Sequence, residues 1–147
     1  MPMVRAAREA PCGSGVTDVR ILILEDDPFI ALDLQCIVEG EGHTASVCGA
    51  VAEARRQLVD GLDFALLDVD VTDGKSYGLA CALAERGVPF AFVSGSKPGE
   101  LPPALRDARF IPKPFLEATI VAALPGARPP LGRVPPLAAI AGERPAA

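Results

Sequence analysis

The sequence predicts a doubly wound α/β domain, built on a five-stranded parallel sheet, over residues 19–124. Three observations predict it. Short β-branched or apolar runs alternate with longer stretches of helical spacing. The runs at 19–24, 64–67 and 89–93 are almost continuously apolar, as strands buried on both faces are. Each run stops on a polar residue at a turn, which suits crossover connections with helices on both faces of the sheet.

The first strand, VRILIL at 19–24, ends on Glu25-Asp26-Asp27. Asp27 before Pro28 reads as an N-cap and first helical residue. The helix then carries Phe29, Ile30, Leu32, Leu34, Ile37 and Val38 and stops near Gly40 and Gly42. Residues 44–48 form a second, weaker strand, and Val51, Ala54 and Leu58 mark a helix closed by Asp60-Gly61. The third strand, 64–67, ends on Asp68; Asp73-Gly74 marks a turn, and Ser76 caps a helix bearing Leu79 and Leu83. The fourth strand runs to Val93 and ends on Ser94-Gly95. Pro98, Gly99, Pro102 and Pro103 then leave room only for a weak or short fourth helix. Phe110 and Ile111 make a brief fifth strand, and 114–124 a last helix with Leu116, Ile120, Val121 and Leu124 inward.

Composition bounds the function. The 147 residues, 50% hydrophobic and 22% charged, suffice for one domain with a core. Residues 19–124 hold nine Lys/Arg against sixteen Asp/Glu, a net of −7, while the flanks sum to +2. An acidic domain of this kind does not bind nucleic acid by phosphate neutralisation. Eight of the fifteen prolines lie in 1–18 or 125–147, which predicts a flexible N-terminal tail and a Pro-rich, flexible C-terminal one. No run of about eighteen apolar residues exists to span a membrane, and Met1 to Gly15 offers no secretory apolar stretch. A cytoplasmic protein is expected. Cys12, Cys36, Cys48 and Cys81 make no CxxC pair, and His43 is the one histidine, so a Cys/His zinc site is excluded. Cys36, Cys48 and Cys81 read as small, reduced core residues.

In open parallel sheets, ligands bind beyond the carboxyl ends of the strands. Those ends carry Glu25-Asp26-Asp27, Asp68 and Asp70, Ser94, and Lys113. Crowded carboxylates repel unless a cation neutralises them. Hard oxygen donors in this number suit Mg²⁺, and a single lysine opposite them points to a phosphoryl group. With Asp73, six carboxylates sit on turns at one sheet edge, and most of that charge makes sense if Mg²⁺ and Lys113 neutralise it. Each piece has a plainer explanation, such as a helix cap for Asp27 or a turn for Asp68. Their joint placement at four strand ends is what sets them apart.

ILILEDDP, ALLDVDVTDG, FVSGS and FIPKPF together resemble the receiver domain of two-component response regulators, the CheY-like, flavodoxin-like fold. The resemblance implies that Asp68 is the phosphoacceptor. It implies that Asp26 and Asp68 bind Mg²⁺, with Asp70 through its backbone carbonyl and Glu25 through water. Ser94 and Lys113 would bind the phosphoryl group, Phe110 would be the switch aromatic, and Lys113-Pro114 a peptide bond often held cis. The implied partners are a sensor histidine kinase or histidine phosphotransfer protein and a downstream protein target. The implied activity is signalling, with only self-catalysed phosphoryl transfer and slow self-dephosphorylation. The segment GVPFAFVSGSKPGELP is similar to the stand-alone FAT-GUY receivers, with Phe92-Val93-Ser94-Gly95 where those carry Phe-Ala-Thr-Gly. Val71-Thr72 departs from the proline that many receivers place after the acceptor.

Two alternatives compete. Asp68 to Thr72 also matches the DxDx[TV] motif of haloacid-dehalogenase-type phosphatases, with Asp70 as general acid. Against it, a whole βαβα unit precedes the motif, no acidic pair follows Lys113, and no cap insertion is present. A receiver-like module that never carries phosphate would more naturally lack one of the acidic pair, the aspartate or the lysine. The Pro-rich residues 125–147 are too short for a helix-turn-helix, so output is expected through protein binding, phosphorelay or a phosphate sink.

Overall fold

The computed structural model describes residues 19–126; the expected tails lie outside these residues except for Pro125 and Gly126, as does Cys12. The chain runs β1 (Arg20–Leu24), α1 (Pro28–Gly40), β2 (Thr44–Cys48), α2 (Val51–Gln57) and a 3-10 turn (Leu58–Asp60). It continues through β3 (Phe64–Leu67), a small hairpin of β4 (Asp70–Val71) and β5 (Gly74–Lys75), and α3 (Tyr77–Glu85). Then come β6 (Phe90–Ser94), two 3-10 turns (Pro98–Glu100 and Pro103–Leu105), β7 (Arg109–Pro112) and α4 (Glu117–Ala123). Five strands form one parallel sheet in the order β2-β1-β3-β6-β7. The order reverses beside β1, so the ends of β1 and β3 flank the crevice where such sheets bind ligands.

Strand periodicity divides the core in two. Leu22 and Leu24 of β1, Ala65 and Leu67 of β3 and Phe92 of β6 face α2 and α3, against Ala54, Leu79, Ala80 and Leu83. Ile21 and Ile23, Phe64 and Leu66, and Ala91 and Val93 face α1 and α4, against Leu34, Ile37, Val38 and Ile120. Helices therefore cover both faces. No helix among the described residues is long and apolar enough to cross a membrane.

Local chemistry explains most boundaries. Asp27 Oδ1 accepts from the amides of Phe29 at 2.9 Å and Ile30 at 3.3 Å, and Pro28 opens α1. Gly42, at φ +88°, turns the chain out of α1. Several expectations need correction. Cys36 and Cys81 are exposed, and among the described cysteines only Cys48 is buried. Each exposed cysteine stands two residues beyond a buried leucine, Leu34 or Leu79, on the outer face of its helix. Phe29 and Leu32 also face solvent, because the buried stripe of α1 is Ala31, Leu34, Ile37 and Val38. Leu116 is 73% exposed rather than inward: α4 begins at Glu117, and Leu116 is its extended N-cap. Between β6 and β7 no α-helix forms at all. Pro98 and Pro103 each open a 3-10 turn, and prolines lack the N–H donors a longer helix needs. The β4–β5 hairpin, expected only as a turn, pairs Asp70 with Lys75 and Val71 with Gly74.

Candidate functional site

The sheet itself delivers four side chains to its carboxyl edge. The Glu25 amide donates to the Cys48 carbonyl at 2.9 Å and the Asp68 amide to Leu24 at 2.9 Å. Both residues thus extend the ladders of β1 and β3 by one step. The Lys113 amide donates to the Ser94 carbonyl at 3.0 Å, which sets Lys113 beside the end of β6. Glu25, Asp68 and Ser94 are all buried.

Their side chains form one charged network. Lys113 Nζ donates to Asp68 Oδ2 at 3.0 Å and lies 2.7 Å from Glu25 Oε1. Glu25 Oε2 accepts from the Asp27 amide at 3.0 Å. Burial raises the pKa of Glu25; Lys113 and the Asp27 amide oppose that rise, and the charge of Asp68 adds to it. Burial also works against the charge on Lys113, yet Glu25 and Asp68 together hold its pKa above the ordinary lysine value. The contact between Nζ and Oε1 is an ion pair without hydrogen-bond alignment. Glu25 Oε1 is therefore the one buried side-chain oxygen or nitrogen among the described residues without a hydrogen-bond partner.

Glu25, Asp26 and Asp68 each offer a carboxylate oxygen, all within 4.8 Å of one another. Asp26 is exposed, and Thr72 Oγ1 donates to its Oδ2 across 3.5 Å. An all-oxygen donor set of three closely spaced carboxylates fits a hard divalent cation such as Mg²⁺, which retains water and uses few carboxylates. The other three carboxylates at this edge serve elsewhere, so half of the edge charge, rather than most of it, is left for a cation and Lys113. Asp27 caps α1. Asp73 accepts from the amides of Val51 at 2.7 Å and Ala52 at 3.1 Å, capping α2 from a different loop. The Asp70 carboxylate pairs with Lys75 at 2.5 Å and accepts from Ser96 Oγ at 3.3 Å, and the Lys75 contact holds its pKa below the usual range. A haloacid-dehalogenase-type proton donor finds no support in that arrangement, since the Asp70 carboxyl is already engaged.

Ser94 Oγ accepts from the Ser96 amide at 3.1 Å. Phe110 is half-buried, its ring centroid 6.3 Å from that of Phe92. The Lys113–Pro114 peptide bond is cis. Sequence reasoning missed Ser76, which is fully buried and whose Oγ donates to the Asp68 carbonyl at 2.7 Å instead of capping α3. Its one signal was a small hydroxyl residue at the mouth of the helix after Asp68, a place that reads first as a cap.

No protein-family model matches the chain. The phyllosphere-induced regulator PhyR of Methylorubrum extorquens is 37% identical over 119 residues, covering 71% of this chain and 41% of PhyR. This chain thus spans about two fifths of the length of that relative. The solution structure of SdrG from Sphingomonas melonis Fr1 is 36% identical over 72% of this chain and 92% of its own, with a TM-score of 0.64. The non-phosphorylated receiver domain of HemR from Leptospira biflexa is 25% identical over 77% of this chain and 99% of its own, also with a TM-score of 0.64. With this sheet order, this acidic strand-end cluster and these relatives, the chain belongs to the CheY-like receiver domains of response regulators.

Proposed function

We propose that this protein accepts a phosphoryl group on Asp68 and signals through the change that follows. The observation that carries this reading is Lys113 Nζ, 3.0 Å from Asp68 Oδ2 and 2.7 Å from Glu25 Oε1 at the crevice mouth. An Asp68 oxygen attacks phosphorus; the new O–P bond forms as the donor's P–N or P–O bond breaks, and the donor imidazole or carboxylate leaves. Phosphoryl transfer depends on positioning and charge neutralisation. Lys113 supplies one positive charge to the transferring group, and Ser94 is the hydroxyl that meets a new phosphoryl oxygen. Asp26, Asp68, the Asp70 backbone carbonyl and, through water, Glu25 would hold Mg²⁺, which when bound supplies the remaining neutralisation.

Phosphorylation replaces one negative charge on Asp68 with roughly two. Ser94 is then drawn toward the phosphoryl group, and Phe110 turns in the space that its loop leaves. The proposed donor is a histidine kinase or histidine phosphotransfer protein, and the output a downstream protein or a relay, in a cytoplasmic setting. The unit carrying these residues is 19–124, with tails on both sides, and its 87–102 segment favours the FAT-GUY subgroup of receivers.

The test uses acetyl phosphate with Mg²⁺ and intact mass spectrometry. One added phosphoryl group is expected in the wild type and none in Asp68→Ala. Wild type that gains no mass, or Asp68→Ala that still gains it, overturns the proposal.

A further inference from the structure

We infer that Ser76 is a positioning residue for phosphoryl acceptance: its buried hydroxyl holds the backbone that carries Asp68 and Asp70. The inference rests on the reading of Asp68 as the acceptor. Ser76 is fully buried; its Oγ donates to the Asp68 carbonyl at 2.7 Å and its amide to the Val69 carbonyl at 2.9 Å. Two consecutive carbonyls are therefore fixed by one residue. Ser76 stands at the N-cap of α3, but its backbone (φ −91°, ψ 10°) lacks the extended cap geometry, and its side chain bonds no amide of α3. The hydroxyl is spent on the neighbouring loop instead of on its own helix.

The need for such a bond follows from the sheet. The Asp68 amide still belongs to the ladder with β1 through Leu24, whereas the register of β3 with β6 ends at Leu67 and Phe92. A buried carbonyl past the end of a ladder requires a donor from outside it. Ser76 supplies that donor from a rigid mount, because Leu79, Ala80 and Leu83 bury α3 against the sheet. Without the bond, the peptide after Asp68 can rotate. That rotation swings the carboxylate relative to Lys113 Nζ and redirects the Asp70 carbonyl that would face the metal. Group transfer tolerates such displacement poorly.

The test compares wild type with Ser76→Ala, the near-isosteric Ser76→Cys, and Leu105→Ala, a buried residue outside the site used as a stability control. Three quantities are measured: Tm, Mg²⁺ affinity by calorimetry without any phosphodonor, and the rate of mass gain with acetyl phosphate. Both Ser76 variants should bind Mg²⁺ more weakly and accept phosphate about tenfold more slowly. Leu105→Ala should lose Tm and keep both functions. Wild-type Mg²⁺ affinity in the Ser76 variants overturns the inference, as does an equal rate loss in Leu105→Ala at matched Tm. If wild type itself gains no phosphoryl group, the acceptor reading fails, and the Mg²⁺ titration still decides the role of Ser76.

Discussion

Glu25 keeps its carboxylate where burial opposes the charge, with Lys113 and the Asp27 amide as the offsetting contacts. Its folded pKa is raised above 4.5, so the folded protein holds this proton more tightly than the unfolded chain does. The associated stability is fully present below 4.5 and is lost as pH rises through the folded value. The Tm of wild type in EDTA should therefore fall relative to Glu25→Gln between pH 4.5 and pH 7, an offset read from parallel melts; a rising difference contradicts it. With Mg²⁺ at about 100 times its Kd, wild type should gain ~2.7 kcal/mol and Glu25→Gln less. Strand ends made Glu25, Asp68, Ser94 and Lys113 visible from sequence alone, because a carboxyl-end position is fixed once the strand is found. Ser76 stayed hidden since its bond goes to a backbone carbonyl, which carries no letter in the sequence. The outward cysteines were misjudged for a related reason: apolar neighbours along the chain are not neighbours on a helix face.

α2 is an element whose start depends on another loop. Ala50 at its N-cap has no side chain to offer, and the Asp73 carboxylate takes that role from the β4–β5 turn. The amides of Val51 and Ala52 lower the Asp73 pKa below 3.8, so this contribution is present above 3.8 and lost as pH falls through the folded value. Asp73→Ala should lower Tm at neutral pH and speed hydrogen exchange at Val51 and Ala52 ahead of the α1 amides. Unchanged exchange at those two amides would show that the cap contributes nothing. Where the sequence punctuates, boundaries were readable: Asp27-Pro28 for α1, and 44–48 and 64–67 for β2 and β3. The two-residue strands of the hairpin carry no periodicity to read. The tertiary cap was equally silent, since nothing near Val51 in sequence announces it.

Across the whole domain, the almost continuously apolar strands prescribed both core layers, and the strand order is the one the flavodoxin-like resemblance implied. What pattern could not supply was how the charges sort themselves once folded. Three of the edge carboxylates are consumed by a helix cap, a tertiary cap and an ion pair; of the remaining three, clustered within 4.8 Å, Glu25 and Asp68 pair with Lys113. That arrangement dictates an order of arrival. In a chain of net charge −5, three carboxylates against one ammonium present a phosphate-bearing donor with repulsion at the crevice. A divalent cation meets attraction at the same place. Encounter should therefore be sequential, cation first and donor second. Raising Mg²⁺ at fixed acetyl phosphate should lower the donor concentration needed for half-maximal rate, and a half-maximal concentration independent of Mg²⁺ would mean the two arrive without regard to each other.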